Sequence, residues 1–198
     1  SAVAYPQHAE PRALRADEVR AVTADFAAAA RRAAEAGYDV VELHGAHGYL
    51  IHEFLSPLSN TRTDEFGGSP EGRRRFALQT AAAVREAVGG ETVLGIRLSA
   101  TDWAEGGLTG EDTAELAPQL VAAGVDVLHI STGGNVPAQV PVGPGYQVPF
   151  AAQVRRAVAD STTPGGGRPV VVTVGVITEA AQAEQIVGTE QADAVAVG

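Results

Sequence analysis

Three side chains able to donate a hydrogen bond, His44, His47 and Tyr49, fall within one six-residue window. They follow an apolar run at residues 38–43 (YDVVEL) that reads as a strand. Ligands in parallel α/β proteins bind at the C-terminal ends of strands, so this cluster points to a site that holds an electron-rich oxygen. His44 and His47 are three apart, which puts them on one side if the chain turns helically there. A metal would need a third ligand, Glu42 or His52, and no HExxH-type spacing occurs; we expect none. A lone histidine here more often packs beneath its loop, but a pair beside Tyr49 favours a site. Tyr49 alone also fits an ordinary amphipathic loop residue.

Arg97 is the next candidate. On residues 92–98 and just beyond, Val93, Gly95, Arg97 and Ser99 share a face, and a guanidinium on the inner side of a strand is costly unless it meets an anion or carbonyl. Its plainer partner is Glu42, on the equivalent face of the preceding strand with Val40 and His44, and both readings can hold together. Gly175 and Gly198 end two later strands, where barrels often bind phosphate through backbone N–H groups. Gly67-Gly68 and Gly133-Gly134 match neither a dinucleotide nor a P-loop pattern and read as tight turns. We expect the run Arg73, Arg74 and Arg75 to be a solvated helix face with one arginine tied to Asp64, and mid-strand His129 to be a satisfied core histidine.

These residues must be held by regular elements. Helices are expected at 17–36 (closed by Gly37), from the Ser69-Pro70-Glu71 start through 88, and at 111–123, 150–159 and 179–187. Strands are expected at 38–43, 92–98, 125–131, 169–174 and 193–197, with long loops at 44–68 and 132–149. The strands are nearly continuous Val, Ile and Leu, so the sheet should be parallel and covered on both faces. A doubly wound sheet and part of an eight-stranded barrel both fit. Inward rows that turn polar toward the strand ends favour an α/β (β/α)8 TIM barrel, of which residues 1–198 supply about five βα units as one partial domain.

The chain has 198 residues, 45% of them hydrophobic, room for one sizeable core. Its net charge of −10 and lack of a basic stripe argue against a nucleic-acid partner. Without cysteine it has no disulfide, thiolate metal site or cysteine nucleophile. No apolar run approaches ~20 residues, so no membrane helix is expected, and a cytoplasmic protein is the default expectation. With no Met and an end just after a strand-like run, the chain is expected to be a piece of a longer protein.

At HGAHGYLIHEFLSPLSNTRTDEFGGSPEGRRRF (44–76) the sequence resembles the Old Yellow Enzyme family of FMN-dependent ene-reductases, above all its smaller, thermophilic-like bacterial subgroup. The likeness continues through IRLSATDWAEGGL, PGYQVPF and VGVIT…DAVAVG, nearly the whole chain. It departs at Gly72, usually Asn, and at Phe66, usually Tyr, positions that concern loop packing. The resemblance implies barrel strands four to eight of an FMN-binding domain that reduces the activated C=C bond of α,β-unsaturated carbonyl compounds with NAD(P)H. By it, His44 and His47 bind the carbonyl oxygen of a small enone-type substrate for hydride attack from flavin N5. Tyr49 lies near the α-carbon as proton donor or shaping group, Arg97 faces the flavin N1/O2 edge, and Gly175 and Gly198 contact the FMN phosphate. It further implies a homo-oligomer in which a C-terminal tail completes a neighbour's site. The alternatives are a cofactor-free phosphate-binding lyase or isomerase barrel and an inactive barrel fragment. The absence of any lysine counts against a Schiff-base version of the former.

Overall fold

The computed structural model describes residues 3–5 and 7–197. In chain order the elements are α1 (Ala16–Glu35), β1 (Val40–Gly45), α2 (Leu50–Leu55), α3 (Pro70–Val88), β2 (Val93–Ser99), α4 (Gly110–Ala122), β3 (Val127–Ser131), α5 (Val148–Ala157), β4 (Val170–Thr173), α6 (Ala180–Gly188) and β5 (Ala194–Val195). All five strands form one parallel sheet in sequential order, β1-β2-β3-β4-β5. The expected alternation of strands and helices is therefore present.

Local chemistry sets the element ends. The Ser69 hydroxyl accepts from the Gly72 N–H at 3.1 Å with Pro70 in the first turn, so α3 starts where the Ser-Pro-Glu signal falls. Thr109 and Asp112 form a reciprocal capping box on α4. After α1, Gly37 takes φ +90°, which lets the chain turn into β1.

Helix α2 corrects the sequence reading, which treated residues 44–68 as one loop. Leu50, Ile51, Phe54 and Leu55 repeat at helical spacing, and Ile51, Phe54 and Leu55 are buried, so the single turn and a half is held by packing. The Asn60 side chain donates to the Phe54 and Phe66 carbonyls, both at 2.7 Å, and fastens the loop that follows. Gly72 belongs to the same packing: a Cβ there would lie 2.1 Å from the Gly67 carbonyl oxygen. Asp64 is bound by Arg62 at 2.9 Å and not by the arginine run; Arg74 reaches Glu115 instead, and Arg75 the Glu65 carbonyl.

Strand alternation divides the sheet into two unlike faces. Leu43, Leu94, Ile96, Leu98, Leu128, Ile130 and Val171 join Phe76, Val84, Leu120 and Val154 in the apolar core. Their neighbours Glu42, His44, Arg97, Ser99, His129 and Ser131 point to the other face. Register then aligns these in rows: His44 opposes Arg97, which opposes His129, and Ser99 opposes Ser131. One face is the core and the other is chemistry.

Candidate active site

Three strand ends converge on the imidazoles of His44 and His47. The two rings lie 5.2 Å apart, centre to centre, in an edge-on arrangement, and the Tyr49 ring is 4.8 Å from His44. Tyr49 is 61% exposed at the start of α2. The structure brings together His44, His47, Tyr49 and Arg97; Gly175 lies just past the end of β4, against Gln147.

His47 takes φ +58°, a left-handed conformation that costs about 1–3 kcal/mol for a residue with a Cβ. It is held from several sides. Its N–H donates to the Ser99 hydroxyl (3.1 Å), which itself donates to the Gly133 carbonyl (2.7 Å). The next residue, Gly48, gives its N–H to His52 Nδ1 at 3.0 Å. Gly134 packs so closely that a Cβ on it would lie 2.6 Å from the His47 Cα.

His47 Nε2 lies 2.7 Å from the Ser131 hydroxyl, which donates to Gln147 Oε1 at 3.2 Å. Because the Ser131 proton goes to Gln147, a neutral His47 donates its Nε2–H to Ser131 and leaves Nδ1 bare, so it donates to a ligand oxygen through Nε2 in exchange for Ser131. Burial and then the charge of Arg97 lower the His47 pKa to about 4. The same two causes, in the same order, lower His44. Near pH 7 the site thus presents neutral imidazoles, able to donate hydrogen bonds without a competing proton transfer.

Arg97 lies between the two histidine-bearing strands, and its Nε is buried with no hydrogen-bond partner among the described residues. Glu42, its expected structural partner, goes elsewhere. The carboxylate reaches across β2 to His129 Nδ1, 3.1 Å away on β3. Gly95 lies beneath this crossing: a Cβ there would only touch Glu42 Cγ, at 3.5 Å, and a side chain extending beyond Cβ would compete with the carboxylate for the space. The hydrogen bond with His129 outweighs burial and lowers the Glu42 pKa. His129 is consequently only half satisfied, since its Nε2 is buried without a partner among the described residues; the expectation of a satisfied core histidine is corrected.

Behind this open cluster is a closed one. His52 Nε2 donates to Asp102 Oδ1 (2.9 Å), while Oδ2 accepts from the Ser56 hydroxyl (2.6 Å) and the Leu108 N–H (2.8 Å). His52, Asp102 and Ser56 are all 0% exposed. Burial alone would raise the Asp102 carboxyl, but the bonds from His52, Ser56 and Leu108 together leave it lowered. With His52 committed to Asp102 and Glu42 to His129, no group of three ligating side chains among the described residues could hold a metal.

Gly175 takes φ +122°, and a Cβ on it would meet Gln147 Nε2 at 2.7 Å, so only glycine fits there. Gly198 lies outside the described residues. Sequence reasoning missed Ser131 and Gln147. Ser131 was recoverable, since it lies two residues after His129 on the same strand face. Gln147, which accepts from Thr132 at 2.8 Å and donates to the Val174 carbonyl at 3.1 Å, follows a Gly- and Pro-rich loop with no periodic signal.

Sequential parallel strands, with a polar cluster at their C-terminal ends, define a partial (β/α)8 barrel. The chain belongs to the NADH:flavin oxidoreductase / NADH oxidase family, which it matches over residues 2–198. It is 44% identical to an NADPH dehydrogenase of Listeria welshimeri, over 100% of this chain and 56% of that protein. The same figures hold for an NADPH dehydrogenase of Bacillus subtilis (strain 168). Among solved structures, morphinone reductase superposes with a TM-score of 0.74 at 32% identity, covering 95% of this chain and 47% of that one. The Old Yellow Enzyme homologue from Zymomonas mobilis gives 0.76 at 27% identity, over 96% and 51% of the two chains. The resemblance read from residues 44–76 thus holds, and FMN with NAD(P)H is the cofactor set this family and these relatives support. The chain spans about half the length of the curated relatives it matches. Among the described residues no helix is long and apolar enough to cross a membrane.

Proposed function

We propose that this chain is the catalytic half of an FMN-dependent oxidoreductase that uses NAD(P)H to reduce the activated C=C bond of a small α,β-unsaturated carbonyl compound. The observation that carries this reading is the row His44–Arg97 at the strand ends, with the His47 ring 5.2 Å from His44. Two neutral imidazoles so placed can both donate to one carbonyl oxygen. Such donors stabilise the negative charge that develops on that oxygen when a nucleophile adds to the conjugated alkene.

The fit to FMN rests on Arg97. A guanidinium whose Nε is buried without a partner suits the electron-rich pyrimidine edge of a flavin, where the charge left by reduction accumulates. Gly175 and Gly198 would lie toward the phosphate, through backbone N–H groups. When bound and reduced, FMN supplies the hydride that adds to the alkene β-carbon. His44 and His47 orient the substrate by its oxygen and polarise it. Tyr49, against the His44 ring and open to the mouth, gives the balancing proton to the α-carbon.

The test is made on the full-length protein that carries this chain. Purified with its cofactor, it is expected to contain FMN and to oxidise NADPH in step with loss of cyclohex-2-enone. The Tyr49→Phe variant should slow turnover while leaving enone binding close to normal. A protein that contains no flavin, or that consumes NADPH at the same rate with and without enone, would sink the reading.

A further inference from the structure

We infer that His52 is a positioning residue for His47, acting through the Gly48 N–H, and that Asp102 fixes the His52 tautomer this requires. The inference rests on the reading of His47 as a donor to the substrate oxygen.

The backbone at His47 and Gly48 is left-handed at both residues, with φ of +58° and +77°. For His47 that conformation is unfavourable by itself and persists only where surrounding groups over-determine it. Ser99 holds the His47 N–H, and His52 holds the next one along. A ring nitrogen accepts an N–H only when it carries no proton of its own. His52 must therefore be neutral, with its proton on Nε2, and Asp102 Oδ1 receives that proton's hydrogen bond at 2.9 Å. The carboxylate is itself locked by Ser56 at the end of α2 and by the Leu108 N–H in the loop after β2. Every polar atom in the chain from Leu108 to Gly48 thus has one role available to it, as in a ligating histidine whose second nitrogen is oriented from behind. None of these groups reaches the mouth, since all three side chains are fully buried.

The tautomer makes the inference testable apart from folding. In Asp102→Asn the side chain keeps its shape but carries donors as well as an acceptor. If its amide N–H faces His52, the imidazole proton moves to Nδ1 and opposes the Gly48 N–H. If its oxygen faces His52, the amide N–H opposes the Leu108 N–H. The first orientation keeps the Ser56 and Leu108 bonds on the remaining oxygen and breaks the clamp at Gly48 without a cavity. The second keeps the clamp and loses the Leu108 bond, and the ring nitrogen-15 shifts of His52 tell the two apart.

In the full-length holoenzyme, Asp102→Asn is expected to raise KM for cyclohex-2-enone about 10- to 100-fold, while FMN content stays that of the wild type. In a His47→Ala background the same change should raise KM less than about twofold further, because there is no imidazole left to position. A loss that is merely structural would add equally in both backgrounds. Should Asp102→Asn not fold, or keep the His52 proton on Nε2, His52→Leu and His52→Asn decide. Leu removes the acceptor and should reproduce the loss, and Asn offers an oxygen near the Nδ1 position and should recover most of it. A KM within twofold of wild type for Asp102→Asn with the His52 proton on Nδ1, equal effects in both backgrounds, or indistinguishable Leu and Asn variants would overturn the inference alone. If His47→Ala itself leaves KM unchanged, the donor reading falls and this inference falls with it.

Discussion

Two histidine clusters stand back to back at the same strand ends, and they have opposite economies of hydrogen bonding. In the closed one, His52, Asp102 and Ser56 are wholly buried and their side-chain polar atoms are matched donor to acceptor. In the open one, Arg97 Nε and His129 Nε2 are buried with no partner among the described residues, and His44 and His47 are held neutral beside a cation. A buried donor without an acceptor costs about 1–3 kcal/mol, so a fold retains one where something else will meet it. The lesson is that similar residue types, close in both sequence and space, separate into scaffold and candidate site by whether their bonds are complete.

The largest effect that can break this contrast is on stability. Asp102→Ala strands the His52 Nε2–H, the Ser56 hydroxyl and the Leu108 N–H, and should cost about 3–5 kcal/mol in urea unfolding of the full-length protein. Arg97→Met, which removes an incompletely paired cation, should change stability by less than about 1 kcal/mol. Equal losses in the two variants would erase the distinction. Next in size is function: His44→Ala should lower kcat/KM for an enone about 10- to 100-fold, the worth of one hydrogen bond to a charged oxygen, with an unfolding midpoint close to wild type.

How far this contrast was legible in the sequence depended on which neighbours had to be known. Strand alternation places Glu42, His44, Arg97 and Ser99 on one face, and the structure keeps them there. The partner of Glu42 was not legible, because it lies two strands away and is reached across β2, past Gly95. Nor was the division of the histidines. His52 and His47 are five residues apart, and the difference between them comes from Asp102 and Ser131, brought in by other strands. Helix α2 was legible from its Leu50, Ile51, Phe54, Leu55 spacing but was obscured by the polar residues on either side. The extent of β5 was overread: residues 193–197 look like a full strand, but the strand is Ala194–Val195, flanked by the Asp193 and Ala196 N–H groups that donate to the Val171 and Thr173 carbonyls of β4.

The pH dependence sharpens the contrast further. An imidazole lowered to about 4 in the folded protein stays neutral where an unfolded histidine, titrating near 6.5, takes up a proton. As pH falls from about 6.5 toward 4 the unfolded state therefore binds more protons, and the His47 contribution to stability falls with it. The His47 share of enone binding, read in a His44→Ala background, should by contrast stay flat from pH 8 to pH 5 and change only as pH approaches 4. A binding midpoint near 6.5 in a titration would contradict the lowered values. The smallest effect concerns the crossing pair. Gly95→Val should push Glu42 off His129 and return the Glu42 carboxyl toward its ordinary range, followed by carbon-13 NMR, with a stability change under about 1 kcal/mol because the carboxylate is partly exposed.

The most direct measurement follows the NADPH-reduced full-length protein as it is reoxidised by cyclohex-2-enone in a stopped-flow spectrometer, for the wild type and for the His44→Ala, His47→Ala double variant. Two imidazoles acting on one carbonyl oxygen predict reoxidation slowed about 100-fold or more in the double variant, with reduction by NADPH still proceeding and the flavin still bound. Reoxidation at the wild-type rate and with the wild-type enone dependence would contradict the account.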